Sequence, residues 1–216
     1  MAVVSIESAL LSFAVVAALL TIIPGLDTVL VLRASISQGR RHGYATALGV
    51  NSGAMLWGIA AAVGASALLA ASETAFTILK LVGALYMAWL GATMLWRSLG
   101  RTPPTVVADQ PVARASRGLL FSWAKGAGTN LLNPKVGVFY IAMIPQFIPA
   151  GTSTLLMGIA LAGVHNLLAL IWFSLLINGT HLARGTFQKP GFIRWTDRGA
   201  GVALLGFGAS LAVNSR

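Results

Sequence analysis

The chain has 216 residues, 56% of them hydrophobic and only 9% charged, against about 25% charged in ordinary soluble domains. That excludes a soluble enzyme and points to one integral membrane domain. The net charge of +10 can mean nucleic acid, but here the cations sit between apolar runs, where a cytoplasmic membrane face holds them. The absence of cysteine excludes disulfides and thiol relays, and three histidines with five acids offer no metal-ligand cluster.

A spanning helix needs about 20 mostly apolar residues. Six such spans are expected, at roughly 5–32, 43–71, 74–97, 117–148, 152–182 and 192–213. "MAVVSIESAL" has no basic n-region and no small-residue cleavage site, so it reads as the start of a retained first helix and not as a signal peptide. From Ser8 the first apolar run carries no charge until it meets "IIPGLD", where Pro24 and Gly25 break the helix and Asp27 brings an acid. The second span holds the step Gly49-x-x-x-Gly53, continued by Ala60 and Gly64, which permits close helix contact. The third carries Lys80 one turn inside, near enough to the end to reach the interface. The segment 100–116, "GRTPPTVVADQPVARAS", is proline-rich and polar and reads as a linker between two halves of one domain, about 1–100 and 115–216. The uncharged run 136–183 is too long for one helix, and "IPQFIPAGTST" divides it into the fourth and fifth spans. Arg194, Asp197 and Arg198 intrude on the start of the sixth. Trp57, Trp89, Trp123 and Trp172 are expected toward lipid or the interface.

Lysine and arginine fix the orientation. Arg33, Arg40 and Arg41 follow the first span, Arg97, Arg101, Arg114, Arg117 and Lys125 surround the linker, and Arg184, Lys189, Arg194 and Arg198 precede the sixth span. These fall on one membrane face, which is therefore the cytoplasmic one, with both termini outside.

The halves resemble each other weakly. "GVNSGAMLW" at 49–57 matches "GVHNLLALIW" at 163–172, so that Asn51 and Trp57 pair with Asn166 and Trp172 at a shift of 115. Leu90-Gly91 and Leu205-Gly206 share that shift, while "PGLD" and "NPKV" each break the first span of their half. Three spans per half is an odd number, so the second half must enter from the opposite side. The expected fold is all-α, a 3+3 inverted repeat whose first helices are broken. Secondary transporters with this architecture bind substrate near the midplane at the paired breaks. Residues 6–38 as one straight helix would be about 50 Å long, more than a hydrocarbon core of about 30 Å. A break at Pro24-Gly25 lets the chain bend and leaves Asp27 near the start of a new half-helix, where a carboxylate caps well.

The stretches "PGLDTVLVLRASISQGRRHGYATALGVNSG", "LKLVGALYMAWLGATML" and "FSWAKGAGTNLLNPKVGVFYIAMIPQFI" carry a family likeness. With them the chain resembles the LysE/RhtB family of bacterial amino-acid exporters over essentially its whole length. It departs from the family in having Leu26 where proline is common, which implies a softer break. The resemblance implies gradient-driven efflux of an amino acid or a close derivative across the bacterial cytoplasmic (inner) membrane. It implies no enzyme activity and no cofactor.

Asp27 is the acid placed away from the ends of a span, and an intramembrane carboxylate is functional by default. It either binds a substrate ammonium or carries a coupling proton; the plainer alternative is an interfacial helix cap. Lys135 is its counterpart in the other half. It receives a substrate carboxylate, neutralises Asp27 when the site is empty, or is merely a structural or interfacial lysine. Asn133 and Pro134 form the second break, with Asn133 as a cap for the helix that follows. Asn51, His165 and Asn166 lie deep in spans two and five, where hydrogen bonds between helices are their plainer role. His165 is also a candidate proton relay. The expected partners are a small zwitterionic substrate, the bilayer and the proton as coupling ion, and nothing in the chain forbids a homodimer. No nucleophile elbow, phosphate loop or zinc-helix motif is present. A channel is the rival reading, and a membrane enzyme acting on lipid is the weaker one.

Overall fold

The computed structural model describes residues 5–23, 25–99 and 118–179 and, between 191 and 209, residues 191, 194, 195, 198, 199, 201, 202, 204–206 and 209. The helices are α1 (Ile6–Ile22), α2 (Leu26–Gln38), α3 (Arg40–Ala71), α4 (Glu73–Leu99), α5 (Leu119–Leu131), α6 (Pro134–Met143) and α7 (Thr154–Asn178), with a 3₁₀ turn at Ile144–Phe147. No strand occurs among the described residues. Three of these helices are long and apolar enough to cross a bilayer by themselves, and α1 and α2, bent by 57° to one another, are so only when taken together. The chain is an all-α membrane protein.

Both expected breaks are present. α1 ends at Ile22, capped by Ile23, whose backbone is extended, and α2 restarts after Gly25; Pro24 lies outside the described residues. The expected fourth span, 117–148, is likewise divided: α5 stops at Leu131 and α6 starts at Pro134. Proline suits that first helical position because its missing N–H has no partner there in any helix. The sixth expected span, 192–213, falls largely outside the described residues; those described between 191 and 209 have helical backbone.

Two boundaries differ from the sequence reading. The basic loop expected after the first span is a helical corner: α2 runs to Gln38 and α3 starts at Arg40. Gly39 alone makes the turn, at φ +96°, a conformation that costs glycine nothing and a side chain more. Ser72, between α3 and α4, is a second one-residue joint, and its Oγ accepts a hydrogen bond from the Ala75 amide at 3.1 Å.

α3 is the axis of the packing, in contact with α2, α5 and α7, while α1 lies along α7. With no water to expel from lipid-facing surfaces, such helices associate through close backbone approach. Gly49 of α3 lies against Trp123 and Ala127 of α5, and Gly126 of α5 against Thr46 and Val50 of α3. From His42 on Ser122 to Gly53 on Asn130 the numbers rise together, so α3 and α5 are parallel. Against α7 they run opposite: Gly58 meets Ala162, and Gly158 meets Ala62. The tighter aromatic core draws on α1, α6 and the 3₁₀ turn. Phe13, Phe139, Tyr140, Met143 and Ile144 are buried there, with the Phe13 and Phe147 rings edge to face at 5.3 Å. Trp57 corrects the lipid-facing expectation, since its ring packs on Gly137 of α6.

Candidate functional site

The two breaks lie side by side and open a cavity of about 310 Å³. Thr21, Gly25, Asp27 and Thr28 line it from the first break, Asn130, Asn133 and Lys135 from the second, Asn51 from α3 and His165 from α7. The remaining wall is apolar and includes Leu20, Val50, Ala54, Val136 and Phe173. Thus Gly25, Asp27, Asn133, Lys135, Asn51 and His165, six of the expected site residues, converge on one space. Asn166 does not line it. Its Nδ2 donates to the Asn51 carbonyl at 3.1 Å, joining α7 to α3, which is the plainer role expected of it.

Asp27 sits in the first turn of α2, where the partial positive charge of the helix end favours a carboxylate. It is not the hydrogen-bonding cap that the sequence suggests. Gly25 holds the cap position and supplies no side chain, while Asp27 Oδ2 accepts a hydrogen bond from Asn130 Nδ2 at 2.9 Å. That bond joins residues 103 apart and ties one break to the other. Asp27 Oδ1 is buried without a partner. Asn133 does cap its helix: its Oδ1 accepts from the Lys135 amide at 3.1 Å, and Pro134 is the first residue of α6. Lys135 therefore stands in the first turn of α6, where the helix dipole disfavours a cation. Its position is tolerable because Asp27 is near enough for the two charges to attract.

The polar wall behind the pair is incompletely satisfied. Asn51 is only 6% exposed, yet neither its Nδ2 nor its Oδ1 has a hydrogen-bond partner. Unpaired buried polar groups are rare in native proteins and call for an explanation. His165 is buried beside it, with Nδ1 at 2.8 Å from the Tyr140 hydroxyl and its ring edge-on to Phe139.

Asn130 and Tyr140 are the residues that sequence reading misses. Asn130 carries a faint signal, a polar side chain one turn before a break; Tyr140 carries none. A third contributor is Gly53. A Cβ there would fall 2.9 Å from Asn130 Oδ1 and 3.0 Å from Asn130 Cβ, so the missing side chain is what lets the carboxamide lie against α3 and reach Asp27. Gly53→Ala is expected to push Asn130 off Asp27 and weaken binding at the cavity about tenfold, the scale of one hydrogen bond to a charged group. Asn130→Ala should do the same, and the double variant should be no worse than Asn130→Ala. Multiplicative losses in the affinity of the cavity for its ligand would mean that Gly53 acts through helix packing and not through Asn130.

The profile of the LysE type translocator family matches residues 18–215. The chain is 30% identical to the Bacillus subtilis membrane protein YrhP over 201 residues, covering 92% of this chain and 96% of that one. It is 30% identical to the leucine efflux protein of Enterobacter sp. (strain 638) over 205 residues, 93% of each chain. It is 27% identical to the threonine efflux protein of Escherichia coli (strain K12) over 195 residues, 88% of this chain and 91% of that one. No solved structure matches.

Proposed function

This chain belongs to the LysE type translocator family, and is therefore a transporter and not an enzyme; we propose that it exports an amino acid or a closely related zwitterion across the bacterial cytoplasmic membrane, driven by inward proton flow. The observation that carries the reading is one acid and one base, Asp27 and Lys135, facing a single cavity from two helix breaks. A zwitterion offers an ammonium to the first and a carboxylate to the second. The names of the leucine and threonine efflux relatives point to the same substrate class. In the empty site the two side chains neutralise each other; in the loaded site each exchanges its partner for one end of the substrate.

The transport cycle follows from an inverted repeat of two halves, about 1–100 and 115–216, in one transporter domain. Two features support it. α1 packs on α7 and α5 packs on α3, so the first helix of each half lies along the long span of the other. Positions related by the shift of 115 also come together: Asn166 bonds to Asn51, and Gly91 lies against Leu205, the neighbour of its equivalent Gly206. Residues near a twofold axis touch their own equivalents, and such an axis would produce these two contacts. Rocking one half against the other about it would open the cavity to each side in turn. The basic segments face the cytoplasm and both termini the outside.

The test is counterflow in proteoliposomes with a panel of labelled amino acids. Saturable exchange is expected for at least one zwitterion, with loss of exchange when either its amine or its carboxylate is removed. An amine lacking the carboxylate that exchanges as well as its parent would overturn the two-pole site.

A further inference from the structure

Tyr140 is fully buried, and its one hydrogen-bond partner among the described residues is His165 Nδ1, at 2.8 Å. A phenol hydrogen in such a setting must be donated, because an unsatisfied buried donor is expensive. The imidazole nitrogen is the only acceptor offered among the described residues. Nδ1 therefore carries a lone pair, and the ring hydrogen resides on Nε2. Nε2 is the nitrogen left for the cavity that His165 lines.

We propose that the Tyr140–His165 pair is a fixed neutral donor for the substrate carboxylate, with Tyr140 acting as a positioning residue that pins the imidazole as its Nε2–H tautomer. This rests on the zwitterion reading above and adds the orientation of the bound molecule: its carboxylate lies toward His165 and Lys135, its ammonium toward Asp27. It also removes His165 as carrier of the coupling proton. A second ring proton would have to sit on Nδ1, facing the phenol hydrogen, and would leave that hydrogen without an acceptor among the described residues. The charged or titratable groups around the ring are Tyr140 and Lys135 from α6 and Asp27 from α2. α3 presents the uncharged Asn51, and α1 presents Leu20 and Thr21. Asp27 is then the lining group that takes the coupling proton.

The first test needs no transport. The protein is labelled with ¹⁵N-histidine and its three imidazoles are followed by NMR in nanodiscs, with His165 assigned by the loss of its signals in His165→Gln. An Nε2–H imidazole that stays neutral between about pH 5 and 8, the range in which histidine ordinarily titrates, is expected. Tyr140→Phe should release it to titrate. A ring that titrates in the wild-type protein, or that carries its hydrogen on Nδ1, overturns the proposal whether or not the zwitterion reading stands. The second test is kinetic. Glutamine reaches the position of Nε2 and asparagine that of Nδ1. His165→Asn should therefore raise KM for the substrate about tenfold or more, as expected for a lost bond to a charged group, whereas His165→Gln should keep KM within about threefold. Equal KM values in the two variants, with the tautomer intact, would overturn the contact with substrate. Absence of counterflow in the wild type with the tautomer intact would count against the export reading instead.

Discussion

Alanine at Gly49 is expected to leave little folded protein. The added Cβ would overlap the Trp123 carbonyl and lie 2.9 Å from the Ala127 amide nitrogen, so it meets backbone, which cannot rotate away as a side chain can. α3 and α5 would have to separate, and with them the reciprocal contact of Gly126 on Thr46 and Val50. Overpacking of this kind costs about 1–3 kcal/mol when side chains can yield, and more when they cannot. Gly64→Ala is the matched control. Gly64 lies on the same helix, and a Cβ there would have no atom within 4 Å, so alanine should be neutral or stabilising by less than about 1 kcal/mol. Thermal unfolding in detergent, read by size-exclusion recovery, distinguishes the two. Gly49→Ala protein that elutes and melts like wild type would mean that α3 and α5 do not approach so closely.

The contrast between those glycines explains which parts of the protein can be read from its sequence. Gly49 and Gly53 belong to a visible small-residue step, and their packing role is legible. That Gly53 also frees the path of Asn130 to Asp27 is not, because the partner lies on another helix and no local rule links positions 53 and 130. The breaks are legible because proline and glycine act on their own backbone: Gly25 and Pro134 sit where one half-helix ends and another begins. The Asn133 cap is legible for the same local reason. The Asp27 cap suggested by the sequence fails because Gly25 already occupies the cap position, and the carboxylate turns to a partner 103 residues away. Tyr140 offers no signal, since an aromatic residue on an apolar helix reads as core; only its contact with His165 gives the hydroxyl a task. The corner at Gly39 reads as a loop because its arginines suggest one, whereas a single residue at positive φ suffices to turn the chain.

The largest expected loss of function belongs to the charge pair. On the proposed reading, Asp27→Asn removes the ammonium ligand, and Lys135→Gln removes the counter-charge of the substrate carboxylate. Each single variant also strands its former partner inside the cavity. Breaking a fully buried ion pair costs about 3–5 kcal/mol, and less is expected here because both side chains are only half-buried. The strain is unequal. Without Asp27, Lys135 stays in the first turn of α6 against the helix dipole, whereas without Lys135 Asp27 keeps the favourable end of α2 and its bond from Asn130. Asp27→Asn should therefore lower the yield of folded protein more than Lys135→Gln does. The double variant leaves no orphan charge and should regain most of the yield, with no active transport. Proton coupling separates the two roles of Asp27. If it carries the proton as well as the ammonium, any exchange left in Asp27→Asn will run down a substrate gradient but will not respond to an imposed pH gradient. The measurement is substrate counterflow and pH-driven uptake in inverted vesicles for the two single variants and the double, normalised to folded transporter. Concentrative, pH-driven uptake by the double variant at wild-type rate would refute the pair as the binding and coupling centre and leave both residues with structural roles.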